Sequence, residues 1–111
     1  MILPNAEQAI VDIRKLRDYC LNDEHPRGKH KARQFKSALG LMADMAQELQ
    51  DSLVRAVQTI EATESTEDEF GKRYIIDFEM QRDGRQTNIR SIWIIRTGET
   101  FPRFVSCYVL K

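Results

Sequence analysis

Hydrophobic residues recur at helical spacing near the start of the chain. Ile13, Leu16 and Cys20 share one face of a helix predicted over residues 13–21, and Asp12 is its expected N-cap. The preceding residues 9–11 are apolar and are predicted as a short extended piece at a sheet edge. The first helix is therefore one-sided and packs on a core.

Two further helices are predicted downstream. The second covers residues 29–39 and stops before Gly40, where a C′ glycine is expected. The third covers residues 43–61 and has the clearest amphipathic pattern in the chain. Their apolar stripes contain Ala32, Phe35, Leu39, Ala46, Leu49, Leu53, Val57 and Ile60.

The period changes from helical to alternating after residue 70. Asp83-Gly84 predicts a two-residue hairpin turn that places Tyr74 opposite Trp93 and Asp77 opposite Arg90. A third strand is predicted from 103 to 110. The fold class is therefore α+β, with N-terminal helices packed on one face of a C-terminal three- to four-stranded antiparallel sheet.

The length of the chain fits a single domain over residues 1–111. Its predicted parts are a helical part at 1–61, an acidic link at 62–70 and the antiparallel sheet at 71–111. Six polar residues in a row, 63–68, predict that the link is mobile.

The hairpin register divides the sheet into two faces. If Arg96 lies opposite Arg103, the core face gains Phe104, Ser106, Tyr108 and Leu110 from the third strand. The other face then has an apolar floor rimmed by arginines, which is typical of a binding surface. The alternative is that the N-terminal segment or the acidic link covers it. That face would contain Ile75, Asp77, Glu79, Arg90, Ile92, Ile94, Arg96, Arg103, Val105, Cys107 and Val109.

Charge is balanced overall but segregated along the chain. The 17 basic and 17 acidic residues cancel, so no global field attracts nucleic acid. Residues 14–36 and the part after residue 70 are basic, whereas residues 44–69 are acidic. The sequence predicts no membrane span and no secretory signal, and Cys20 and Cys107 are expected to be reduced thiols in the cytoplasm.

The most unusual segment is His25-Pro26-Arg27-Gly28-Lys29-His30-Lys31, which precedes and begins the second helix. Both histidines and three cations beside a helix N-terminus suit an anion, and histidine can transfer protons near neutral pH. A plain basic loop is the alternative. No metal and no cofactor are predicted, because further ligands at useful spacing are missing and the cations would repel a metal ion.

Two motifs resemble a bacterial domain-of-unknown-function family, which occurs as solo proteins and as C-terminal domains of polymorphic toxins. HPxGxxKAxxF matches residues 25–35, and WIxRxGxxxPR matches residues 93–103. The resemblance covers nearly the whole chain. With the helices-then-sheet order, it implies by fold analogy the barnase/EndoU/colicin/RelE-type ribonuclease superfamily.

The resemblance implies RNA cleavage without a metal, in which the 2′-hydroxyl attacks the neighbouring phosphate. His25 would be the acid or base, and Lys31, Arg96 and Arg103 would clamp the phosphate and stabilise the transition state. The chain would then be a toxin of a toxin–antitoxin or polymorphic-toxin system. Its expected partners are a small antitoxin or immunity protein and RNA, with a homodimer left open and no membrane.

Further residues are candidates for binding RNA or a partner protein. Lys29 and His30 lie in the basic segment, Arg90 lies on the outer face, and Tyr108 could stack or donate a proton. The predicted register turns Tyr108 to the core, which argues against it. The competing function is a non-enzymatic interaction domain, such as an immunity, antitoxin-like or adaptor protein, that uses the same sheet face.

Overall fold

The N-terminal helices form where the apolar spacing predicts them. In the computed structural model, which describes residues 1–110, α1 covers Ile13–Lys15 and continues directly as a π-helical turn, Leu16–Cys20. The Asp12 carboxylate accepts a hydrogen bond from the Arg14 backbone N–H at 3.0 Å, so the predicted N-cap is confirmed.

The second and third helices also agree with the prediction. α2 covers Lys29–Leu39 and ends at Gly40, whose φ of 64° is the left-handed conformation of a C′ glycine. A 3-10 turn, Ala43–Met45, leads into α3, Ala46–Thr59. A further 3-10 turn lies at Ala6–Gln8.

The sheet has four antiparallel strands in the order β1-β2-β3-β4. Positive φ values at Asp83 (50°) and Gly84 (77°) identify the predicted two-residue hairpin turn as type I′. Tyr74 lies opposite Trp93 as expected. The α+β class, with helices first and an antiparallel sheet last, is confirmed. The strands are β1 Thr63–Asp68, β2 Gly71–Arg82, β3 Arg85–Arg96 and β4 Arg103–Val109.

Most of the acidic link predicted at 62–70 belongs to the sheet. Residues 63–68 form β1, the edge strand beside β2. Every β1 side chain is exposed, so apolar alternation, the usual signal of a strand, is missing. Lys72 pairs with Glu64 at 2.9 Å, and Arg73 pairs with Asp68 at 2.8 Å. Charges on an edge strand also oppose pairing with other chains.

The predicted register of the last strand is wrong. Arg103 lies opposite Ile94 instead of Arg96, and the pairing shifts again by one residue between Ile92 and Trp93. This β-bulge has no counterpart in the apolar alternation of the sequence. It reverses the faces beyond it. Cys107 and Val109 enter the core, and Ser106 and Tyr108 leave it, each of the latter half-buried.

The N-terminal segment extends the sheet beyond β4, as the sequence predicts. Ile10 forms a parallel bridge with Arg103. Its backbone N–H donates to the Pro102 carbonyl at 3.1 Å, and its carbonyl accepts from the Phe104 N–H at 2.9 Å. One end of the β4 edge is therefore covered by the N-terminal segment. Beyond that end, side chains of the helices contact the edge.

The core lies between the helices and the inner face of the sheet. Trp93 is fully buried at its centre, with its ring edge-on to Phe104 at 5.6 Å. The Ser91 hydroxyl accepts from the Trp93 indole N–H at 2.9 Å and donates to the Ile76 carbonyl at 2.7 Å. This buried polar group is thus satisfied. Within residues 1–110, no helix has the length and apolar character needed to cross a bilayer.

Candidate functional site

His25 organises the loop that enters α2. Its Nδ1 accepts hydrogen bonds from the backbone N–H groups of Arg27 and Gly28, both at 3.0 Å. The imidazole therefore closes the turn that leads into α2, whose N-cap residue, Gly28, makes no side-chain cap hydrogen bond. With the Nδ1 lone pair used, the neutral ring carries its proton on Nε2. His25 can therefore donate a hydrogen bond from its Nε2–H group.

Gly28 lets this loop lie directly against the π-helical turn. A Cβ atom added at Gly28 would overlap the backbone carbonyl oxygen of Tyr19. The His25 ring packs edge-on against the Tyr19 ring, with centroids 4.8 Å apart. The glycine of the first motif is therefore explained by close approach of two backbones.

Lys31 lies at the centre of a group of polar side chains from three elements. Its Nζ donates to the Ser106 hydroxyl of β4 at 3.0 Å and to the Tyr19 hydroxyl at 3.4 Å. Nζ also lies 4.8 Å from the centre of the Tyr19 ring. We call Tyr19, His25, Lys31 and Ser106 the Lys31 cluster. It brings together the two predicted residues His25 and Lys31.

Two buried thiols lie beneath this cluster. Hydrogen bonds from the Cys107 thiol and backbone N–H and from the Ser106 hydroxyl, with the Lys31 charge, lower the pKa of Cys20 to about 6 despite burial. Burial and the hydrogen bond to Cys20 raise the pKa of the Cys107 thiol. Both thiols are free. A thiolate at Cys20 would add a negative charge beneath the Lys31 ammonium and help to hold it in place.

Arg90 and Tyr108 lie opposite each other on β3 and β4. Arg90 makes two hydrogen bonds of 2.9 Å to the Asp77 carboxylate. That ion pair and a hydrogen bond to Tyr108 raise the pKa of Arg90 above its ordinary value. The expectation that Tyr108 points to the core is wrong, because the bulge turns it outward beside Arg90.

Arg103 is engaged at the turn between β3 and β4. Its guanidinium makes two hydrogen bonds of 2.8 Å to the Glu99 carboxylate and lies 5.1 Å from the centre of the Phe101 ring. This pairing lowers the pKa of Glu99 and raises the pKa of Arg103. These contacts suit a structural role, and the predicted catalytic role would require the pair to open.

Arg96 does not belong to the Lys31 cluster and lines a depression of about 450 Å³ on the outer face. Ile94 and Val105 form its floor, and cationic side chains with one aromatic ring form its walls. We call this depression the basic basin. Its lining residues are Lys15, Phe70, Arg73, Ile94, Arg96 and Val105.

The remaining predicted binding residues lie on α2. Lys29 is half-buried in the first turn, and His30 is exposed. Neither joins the Lys31 cluster, so their proposed contacts with RNA or a partner stay predictions. Among residues 1–110, no group of three or more His, Cys, Asp or Glu side chains is placed to hold a metal ion.

The family model described as a domain of unknown function, DUF6883, matches residues 2–111. The chain belongs to this family. The resemblance to a family of unknown function is thereby confirmed. No curated protein sequence matches the DUF6883 chain.

This DUF6883 protein is similar in fold, over almost its whole length, to a chain of a solved structure. That structure is the "Contact-dependent growth inhibition toxin - immunity protein complex from Klebsiella pneumoniae 342". The TM-score is 0.70 at 16% sequence identity, covering 96% of this chain and 97% of that chain. At this identity the likeness concerns the fold.

Sequence reasoning missed half of the Lys31 cluster in this DUF6883 protein. The apolar spacing places Tyr19 only in a helix, and the predicted register places Ser106 in the core. The spacing of 12 residues from Tyr19 to Lys31 and 75 residues from Lys31 to Ser106 gives no local signal. Lys15 and Phe70 of the basic basin were likewise missed, although an aromatic residue at the end of a polar stretch is a visible clue.

Proposed function

We propose that this DUF6883 protein is the toxin of a toxin–antitoxin or polymorphic-toxin system and acts as a metal-independent endoribonuclease. The observation that carries the proposal is the Lys31 cluster. It holds a half-buried ammonium 3.0 Å from Ser106 and 3.4 Å from the Tyr19 hydroxyl, beside the His25 loop. The shared fold with a chain of a toxin–immunity complex supports the setting.

Lys31 would supply both charge and a proton. An RNA phosphate bound at the Lys31 cluster would contact the Lys31 ammonium and the His25 Nε2–H group. Their positive character stabilises the extra negative charge of the phosphorane, which is the main demand of this reaction. His25 would bind phosphate and would not transfer a proton, since its Nδ1 already accepts two backbone N–H groups.

The bond changes balance without another reactant. The 2′-oxygen bonds to phosphorus as its proton passes to a non-bridging phosphate oxygen. The bond from phosphorus to the 5′-oxygen then breaks, and the Lys31 ammonium protonates the leaving oxygen. The acidic cyclic phosphate returns a proton to Lys31. The products carry a 2′,3′-cyclic phosphate and a 5′-hydroxyl.

The other predicted residues take supporting roles in this proposal. Tyr108 lies two residues beyond Ser106 in β4, and Arg90 lies opposite Tyr108 on β3. Both could contact the nucleotide on one side of the cleaved bond. Arg96 would contact RNA away from the cleaved phosphate. Arg103 would keep the turn closed through Glu99.

A small antitoxin or immunity protein is the proposed protein partner. Arg96 lies on the outer face and the Lys31 cluster lies at the nearby edge of β4, so an acidic partner would cover both and exclude RNA. The same face supports a second candidate function, a non-enzymatic interaction domain. The net charge of zero favours that alternative, since it gives no long-range attraction for RNA.

Induced expression in a bacterial host, with total RNA separated on a gel, tests the proposal. Wild-type protein should slow growth and fragment RNA. Lys31→Ala should abolish both effects, because acid–base groups contribute about 10²–10⁴-fold to such reactions. Lys36→Ala is the matched control, since Lys36 is an exposed lysine on the same helix. Intact RNA with wild-type protein would favour the interaction domain.

A further inference from the structure

The basic basin combines a cationic rim, an apolar floor and an exposed aromatic ring. Ile94 is almost fully buried at its base, and the volume of about 450 Å³ is that of a small-ligand site. Val105 of the floor precedes Ser106 in the chain. The basin therefore adjoins the Lys31 cluster along β4.

Phe70 is exposed on a segment whose backbone is hydrogen-bonded. Its carbonyl accepts from the Thr97 backbone N–H at 3.0 Å, and its own N–H donates to the Asp68 carboxylate at 2.9 Å. The Thr97 hydroxyl also donates to the Glu69 carbonyl at 3.0 Å. The residue nevertheless remains 65% exposed. A large aromatic side chain that is exposed on a hydrogen-bonded backbone is a platform for stacking.

The three cations of the basin differ in their availability. Arg73 is paired with Asp68 at 2.8 Å, and Lys15 donates to the Phe104 carbonyl at 3.0 Å. Arg96 is exposed and makes no hydrogen bond or ion pair with any other side chain of residues 1–110. Its five N–H donors are therefore available to a phosphate.

We propose that the basic basin binds one unpaired nucleotide of an RNA strand, next to the nucleotides at the Lys31 cluster. The base stacks on Phe70, and its phosphate contacts Arg96 and Lys15. This inference rests on the proposed ribonuclease function and names single-stranded RNA as the substrate class. An acidic peptide would use the charges but gain little from an aromatic platform, whereas an unpaired nucleotide uses both.

Binding can be measured apart from cleavage with a fluorescently labelled 2′-O-methyl hexanucleotide, whose blocked 2′-oxygen cannot attack. Phe70→Ala should weaken binding about tenfold, the typical loss for one base–aromatic stack. Arg96→Ala should weaken binding and reduce the salt slope of log Kd by about 0.7, the value for one phosphate contact on a single strand. Ile60→Ala and Arg55→Ala, exposed residues of the helix layer, are the matched controls and should bind as wild type.

A second series locates the stacked base. Each hexanucleotide of this series carries one abasic site, at a different position. At one position the abasic site should weaken binding by the wild-type protein, and the same site should not further weaken binding by Phe70→Ala. Equal loss in both proteins at every position would overturn the basin assignment. So would a glutamate hexapeptide that binds as tightly as the RNA and is displaced by it, since the basin would then be a general anion surface.

The two proposals fail separately. Wild-type protein that binds the hexanucleotide through Phe70 but leaves natural RNA intact supports the basin and refutes the ribonuclease. Wild-type protein that cleaves RNA, with Phe70→Ala and Arg96→Ala binding as wild type, supports the ribonuclease and refutes the basin.

Discussion

The Lys31 ammonium donates to the Ser106 hydroxyl at 3.0 Å and so joins the first turn of α2 to the middle of β4. Ser106 can accept this bond because the bulge in β4 turns it out of the core. The ammonium is thereby held against the sheet edge, beside Tyr19. Any chemistry at this site depends on that position of Lys31.

Ser106→Ala should reduce cleavage while leaving the fold intact. The ammonium would lose its 3.0 Å acceptor, so we expect about a tenfold fall in kcat with a smaller change in KM. One hydrogen bond of a half-buried hydroxyl contributes about 1 kcal/mol to folding. Ser106→Thr keeps the acceptor and should restore the rate. Steady-state kinetics with urea unfolding would check this, and equal rates for Ser106→Ala and wild type would refute the positioning role.

Gly28→Ala should disturb the His25 loop. A Cβ atom at this position meets the Tyr19 backbone, so the loop must move, at an expected cost of about 1–3 kcal/mol. Gly98→Ala is the control, because Gly98 has open space around it. This substitution should lose only the stability that an alanine gives up in a left-handed backbone with φ of 86°. Chemical denaturation would measure stability, and proton NMR of His25 would report the loop. An unchanged His25 signal in Gly28→Ala would contradict the close contact.

Arg82→Ala should destabilise the packing of the helices on the hairpin. The Arg82 guanidinium donates to the carbonyls of Leu39 and Gly40, both at 3.2 Å, and to the Glu48 carboxylate at 3.1 Å. It thus satisfies carbonyls at the end of α2 and pairs with α3. We expect a loss of about 1.5–3 kcal/mol in the free energy of unfolding. Arg85→Ala, across the turn, should cost less than about 0.5 kcal/mol. Equal losses would contradict this.

The Cys20 thiol should ionise near neutrality. Its pKa falls from an ordinary 9.0 to about 6 in the folded protein, so absorbance at 240 nm should rise with a midpoint near pH 6. A lowered folded pKa adds stability that is complete above about pH 9 and is lost as the pH falls to about 6. Relative to Cys20→Ser, wild type should therefore gain stability between pH 6 and 9. Cys107→Ala removes the main donor and should shift the midpoint upward. A midpoint near 9 in wild type would contradict the network.

The hairpin and the helices could be predicted because their signals are local. Asp83-Gly84 fixes the register of β2 and β3 by counting alone. The loop between β3 and β4 does not fix the register of β4 in this way. The bulge opposite Ile92 and Trp93 also breaks the alternation, so the predicted faces of β4 beyond the bulge are reversed. β1 was missed because its stability comes from pairing with β2 and from ion pairs such as Glu64 with Lys72.

The candidate site was only half predictable for the same reason. His25 and Lys31 stand out as unusual residues in one short segment. Tyr19 and Ser106 reach them through the packing of the π-helical turn and β4, which no spacing reveals. Arg103 is predicted as catalytic from its residue type; the structure pairs it with Glu99, and its catalytic role stays a prediction.

The most direct measurement is mass spectrometry of the ends produced when purified protein, free of any partner, is incubated with an RNA oligonucleotide in the presence of a chelator. Wild-type protein should yield 2′,3′-cyclic phosphate and 5′-hydroxyl ends, and Lys36→Ala should do the same. Lys31→Met should lose about 10²–10⁴-fold in rate while keeping the wild-type melting curve. RNA that stays intact with folded wild-type protein, or cleavage by Lys31→Met at the wild-type rate, would contradict the ribonuclease assignment.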